Sequence, residues 1–92
     1  MSEIRKKAFP ELFQAVVDGS KTFDLRVADF ECHKGDILIL DEVDEDTKQP
    51  TGRFIKKKVG YVLRTKDLNF FEEEEVNQFG YQVMSLLDED AK

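Results

Sequence analysis

Cysteine is almost missing from this 92-residue chain: Cys32 stands alone, so no intramolecular disulfide can staple the fold. A Cys-based metal cage would need other ligands as well. Tryptophan is absent, and proline occurs only at Pro10 and Pro50. Long apolar runs are absent too. The longest, Ile37-Leu38-Ile39-Leu40, is far short of the roughly 20 residues that a membrane-spanning helix needs. The opening MSEIRKKAF lacks the apolar stretch of a secretory signal. These absences predict a protein that is not in a membrane and resides in the cytoplasm, with a hydrophobic core as its only source of stability.

What is present suits such a core. An apolar content of 40%, with eight Phe, is too high for a disordered tail, and the length fits one domain over residues 1–92 rather than two. A multidomain enzyme is not expected from this length. The net charge of −6 argues against general attraction to phosphate backbones, but the charges are unevenly spread. Asp41 to Thr47 hold five acids and no base, Lys48 to Lys66 hold seven bases and no acid, and Asp67 to Lys92 hold eight acids against one base. The basic block reads either as a solvated strand face paired with acidic neighbours or as a local anion-binding strip.

Hydrophobic periodicity gives the element order. Ala8 to Gly19 starts with Pro10 near a first helical position, gathers Leu12, Phe13, Val16 and Val17 on one face, and stops at glycine, which predicts a short helix. Lys21 to Val27 alternates, with Phe23, Leu25 and Val27 on one side and Thr22, Asp24 and Arg26 on the other, which predicts a half-buried strand with its apolar row inward. Ile37 to Leu40 reads as a central strand and Asp41 to Gly52 as an exposed hairpin connection. Arg53 to Arg64 reads as a long strand that bends at Gly60. Lys57 falls on the apolar parity there, so it sits at a rim or beside a bulge. Thr65 to Phe79 fits an irregular helix or lid, Tyr81 to Leu87 a last strand, and Asp88 to Lys92 a frayed tail. The sum is a mainly β (α+β) domain, an open β-barrel with an N-terminal helix capping one end and a second short helix or lid near residues 65–80. Its core is expected from the Phe23/Leu25, Ile37/Ile39, Ile55/Val59/Leu63 and Val83 rows under Leu12, Phe13 and Val16.

Polar groups concentrate at Gly19-Ser20-Lys21-Thr22-Phe23-Asp24-Leu25-Arg26, just past the helix. Lys21 and Arg26 can donate to phosphate or a base edge, Ser20 and Thr22 offer hydroxyls, and Asp24 can accept from an exocyclic amine. The plainer alternative is an Asp24–Arg26 pair on a solvated strand. Arg53, Lys56 and Lys58 could add phosphate contacts. No metal is expected: Cys32 and His33 are neighbours that point to opposite sides of an extended chain, and the acidic runs Asp41–Asp46 and Glu72–Glu75 lack the spacing of a calcium loop. No other cofactor is expected, and a monomer is the default.

Gly19, Lys21, Asp24 and Arg26 match the Gly-x-Lys-x-x-Glu-x-Arg signature of ASCH domains, with Asp in place of Glu. FPELFQAVVDGSKTFDLR, HKGDILILDEVD, TGRFIKKKVGYVL and GYQVMSL resemble, in order, the segments of the DUF3850 branch of the PUA-like superfamily, over roughly residues 3–87. The resemblance implies a PUA-like β-barrel with a helix leading into the signature, a cleft lined by Lys21, Asp24 and Arg26, and a role in binding RNA or a nucleotide. Some relatives are amidohydrolases on acetylated cytidine, with a Thr nucleophile where this chain has Asp24. Thr22 is no substitute, because two residues along a strand displace its hydroxyl by about 6.6–6.8 Å. The alternative reading is therefore a small hydrolase of a modified nucleoside or an RNA phosphodiester, with Lys21 and Asp24 as the working pair. The run Lys56-Lys57-Lys58 departs from the apolar alternation expected of the family.

Overall fold

Pro10 fixes the first turn of α1 (Pro10–Asp18) at a position where its missing N–H is not needed. The helix buries Phe13 and Val16, while Leu12 and Val17 remain exposed, so its inward stripe is narrower than the periodicity predicts. Gly19 ends it at φ 84°, a left-handed conformation that glycine adopts without a Cβ penalty, and its N–H donates to Val16 O at 3.1 Å.

The computed structural model describes residues 2–68 and 79–89. Among the described residues five strands make one sheet: β1 (Glu3–Ala8), β2 (Phe23–Val27), β3 (Ile37–Val43), β4 (Pro50–Arg64) and β5 (Tyr81–Leu87). Their spatial order is β1-β3-β4-β5-β2, with β1 parallel to β3 and every other neighbouring pair antiparallel. The sheet curls into a half-barrel. β1 and β2 are its two edges, and the space between them is an open seam. A short 3-10 turn, Thr65–Asp67, follows β4. The expected helix or lid over residues 65–80 otherwise falls largely on 69–78, outside the described residues. No helix among the described residues is long and apolar enough to cross a membrane.

Phe13, Val16, Cys32, Leu38, Leu40, Val59, Met84 and Leu86 form the core, with Ile4, Ala8, Phe30, Ile55 and Val62 packed against it. Two expected rows are therefore corrected. On β2, Phe23 and Leu25 are 48% and 57% exposed, whereas Asp24 is 4% exposed. On β5, Gln82, Met84 and Leu86 face inward, Val83 is half-buried and its register partner on β4, Leu63, is 38% exposed. Alternation establishes which residues share a face; the strand's place in the sheet decides which face meets the core.

Two boundaries also shift. β3 runs on through Asp41 and Glu42, so the connection to β4 is Asp44–Gln49 rather than Asp41 to Gly52. The acids are tolerated in a strand because each has a partner. Asp41 pairs with Arg5 at 2.7 Å, and buried Glu42 accepts from Thr51 Oγ1 at 2.6 Å. Strand β1 has no counterpart in the sequence reading, since Glu-Ile-Arg-Lys-Lys-Ala offers only Ile4 and Ala8 as inward apolar residues. Its third inward residue, Lys6, places its ammonium 3.8 Å from the centroid of the Phe30 ring. Lys57 lies at a rim, as one of the two readings has it: it pairs with Leu38 in register and reaches out to Asp88 at 3.2 Å.

Buried Asp36 ties the loop before β3 to the start of β1. Its two oxygens accept from the backbone N–H groups of Ser2 and His33, both at 2.9 Å. Burial works to raise this carboxyl, but the two amides, with the nearby His33, outweigh it and hold the group below the usual carboxylate range.

Candidate functional site

The seam opens into a cleft of about 780 Å³, bounded by the end of β1, α1, β2, β3 and the β3–β4 turn. The side chains of Lys21, Asp24 and Arg26 meet there. Register explains why: the N–H of Leu86 donates to Thr22 O and that of Ala28 to Gly80 O, so even-numbered residues of β2 bond to β5 through their backbones. The side chains of that parity, Asp24 and Arg26, point into the half-barrel, and the backbone edge of Phe23, Leu25 and Val27 faces the seam. Lys21 is held at the strand entrance by its N–H bond to Ala15 O at 3.0 Å.

Asp24 is the centre of the cluster. Arg26 Nε donates to its Oδ2 at 2.6 Å, Arg26 Nη2 lies 3.5 Å from Oδ1, and Lys21 Nζ lies 3.7 Å from Oδ1. One buried carboxylate thus sits between two cations. The alternative of a solvated Asp24–Arg26 pair is overturned, because the Asp24 and Arg26 side chains are 6% and 23% exposed. Arg26 does a second job. Its Nη2 donates to Lys7 O at 2.9 Å, so its guanidinium spans the two sheet edges and bridges the seam. Lys21 Nζ in turn donates to Phe23 O at 2.7 Å and lies 4.9 Å from the Phe23 ring centroid.

The remaining cleft wall is apolar. Phe9, Leu12, Val16, Leu40 and Val43 face the cluster, and Lys48 stands at the rim with its ammonium 4.6 Å from the Phe9 ring centroid. Sequence reading did not single out Phe9 from the other aromatics, and it placed Lys48 only within the basic block. The signals present were Pro10, which fixes the helix entry beside Phe9, and the break from acid to base at Lys48, whose φ of 62° belongs to a tight turn.

The other predicted site residues lie elsewhere. Ser20 Oγ donates to Ala15 O at 3.2 Å and so finishes the helix, while Thr22 is exposed and does not line the cleft. Arg53 bonds Gln14 at 3.0 Å and approaches Glu42 at 3.9 Å, and Lys56 approaches Glu3 at 3.9 Å. Lys58 pairs in register with Ile37 on β3 and Leu87 on β5, away from the seam. The structure does not bring Arg53, Lys56 or Lys58 to the cleft.

Cys32 is fully buried, and burial, reinforced by Asp36, pushes its thiol up. No group of three His, Cys, Asp or Glu side chains among the described residues could hold a metal ion.

Comparison with known proteins agrees with this architecture. The crystal structure of a hypothetical protein, PH0355, superposes with a TM-score of 0.59 at 15% identity, covering 95% of this chain and 98% of that chain, a likeness of fold alone. No curated protein matches the chain. The family model described as a domain of unknown function, DUF3850, matches residues 5–86, from the first strand through the last, and the chain belongs to that family.

Proposed function

We propose that the seam cleft binds a nucleotide, as part of a single-stranded RNA, in the manner of an ASCH-type, PUA-like module. The observation that carries this reading is the convergence of Lys21, Asp24 and Arg26 on one cavity beside two half-exposed aromatic rings. Each part has a counterpart in a nucleotide. Phe9 and Phe23 offer faces on which a base can stack. Lys21 and Lys48 flank the opening and can meet phosphate, which suits a chain that is acidic overall but carries its cleft cations close together. Asp24, whose oxygens already accept from Arg26, can take a further hydrogen bond from an exocyclic amine or a ribose hydroxyl.

Fluorescence anisotropy with labelled short RNAs tests the proposal. Affinity falls as salt rises, with a slope of about −0.7 for each phosphate contact in a single strand. Lys21→Ala and Arg26→Ala each weaken binding about tenfold, an effect of about 1.4 kcal/mol, while Lys56→Ala leaves it unchanged. Affinity that ignores both salt and the two cleft substitutions contradicts the reading. The hydrolase alternative would use the same cleft through Lys21 and Asp24. Product from acetylated cytidine or RNA that depends on both residues would favour it.

A further inference from the structure

The cleft repeats one arrangement on its two banks. On the β1 side, Phe9 at the entry to α1 has the Lys48 ammonium 4.6 Å from its ring centroid. On the β2 side, Phe23 has the Lys21 ammonium 4.9 Å from its ring centroid. All four residues line the cleft, and the two rings are 37% and 48% exposed, so each keeps surface for a planar partner. The two pairs come from separate parts of the chain. The helix entry and the β3–β4 turn build one, and the strand entrance after Gly19 builds the other.

Arg26 stands between the banks. Its Nε and Nη2 are committed to Asp24 and to Lys7 O across the seam, whereas Nη1 has no partner among the described residues and is not sealed from solvent. A free guanidinium arm between two ring-and-cation pairs suits a phosphate with a base on either side of it. Size agrees. Pockets for small ligands begin at about 300 Å³, and the cleft holds about 780 Å³, more than twice that. A single nucleotide would stack on one ring and leave the opposite pair unused.

We propose that the cleft holds two consecutive nucleotides, one base stacked on Phe9 and the next on Phe23, with the phosphate that joins them on Arg26. This rests on the RNA reading above and adds a site size to it. Isothermal titration calorimetry of the full chain compares a nucleoside 3′,5′-bisphosphate with the 5′-phosphorylated dinucleotide of the same base, for each of the four bases. The two probes share two phosphates and differ by one nucleoside. For at least one base the dinucleotide is expected to bind about tenfold or more tightly, the scale of one stacked base, and a third nucleotide adds less than that step. In Phe9→Leu and in Phe23→Leu the advantage of the dinucleotide is lost. Comparing both probes within one variant separates this from any change in stability. Equal binding of the two probes to the wild type, for every base, overturns the two-nucleotide site and leaves the RNA reading in place, as does an advantage that survives in both variants. Absence of binding by every probe overturns both.

Discussion

Asp24 gives up nearly all its contact with water, a loss that only well-placed cations can offset. Arg26 and Lys21 supply that compensation, and Arg26 also spends a donor on Lys7 O across the seam. Asp24→Ala therefore does two kinds of damage: it strands a half-buried guanidinium and frees the clasp between the sheet edges. Because Arg26 keeps some exposure to water, the loss of stability in urea unfolding is expected toward the low end of the range of about 3–5 kcal/mol for breaking a buried pair. Asp36 makes a prediction of the opposite character. Its carboxyl is held below the ordinary value in the folded state, so the stabilisation it gives is complete above the unfolded pKa of about 3.9 and is lost as pH falls through the folded pKa. Asp36→Asn is expected to be less stable than the wild type by about 2 kcal/mol at pH 7, the scale of hydrogen bonds to a charged group. The gap between the two proteins narrows below about pH 4. Urea midpoints at pH 7, 5 and 3 measure it; a gap that is constant over that range contradicts the assignment.

At the scale of elements, legibility followed the strength of the local pattern. Helix α1 was legible because Pro10 and Gly19 bracket it, and β4 because Arg53 to Arg64 alternates over a long span. β1 was not legible, since an edge strand with Arg5, Lys6 and Lys7 in succession carries almost no apolar signal and is defined by its parallel pairing to β3. The inward face of β2 was misread for a related reason: Phe23, Leu25 and Val27 look like a core row, and only the bond pattern to β5 turns Asp24 and Arg26 inward. The site residues Lys21, Asp24 and Arg26 were legible from their spacing, whereas Phe9 and Lys48 join them through tertiary structure. Gly60 shows where sequence and packing agree. It lies in the irregularity between Val59 and Val62, and a Cβ there would come 2.8 Å from Ser85 Oγ and 3.1 Å from Leu87 Cδ1. Gly60→Val is expected to lower stability by about 1–3 kcal/mol, as overpacking does, readable as a lowered urea midpoint with unchanged m-value.

For the whole molecule, the half-barrel separates three environments that the linear charge blocks do not reveal. Its concave side holds the core and, at the seam, the ionic cluster. Its outer side is charged over one half and apolar over the other. The basic block from Lys48 to Lys66 is accordingly not one anion-binding strip: Lys48 reaches the cleft rim, Arg53 and Lys56 serve acidic partners, and Arg64 donates to Cys32 O at 3.0 Å beneath the half-barrel. The proposed recognition of RNA is thereby assigned to the seam alone. Backbone amide shift mapping by NMR, with a short single-stranded RNA titrated into the full chain, tests this most directly. The account predicts saturable shifts grouped at Phe9, Lys21 to Arg26 and Lys48, with saturation moved to about tenfold higher RNA in Arg26→Ala. Shifts confined to Arg53–Lys58, or none at millimolar RNA, would contradict it.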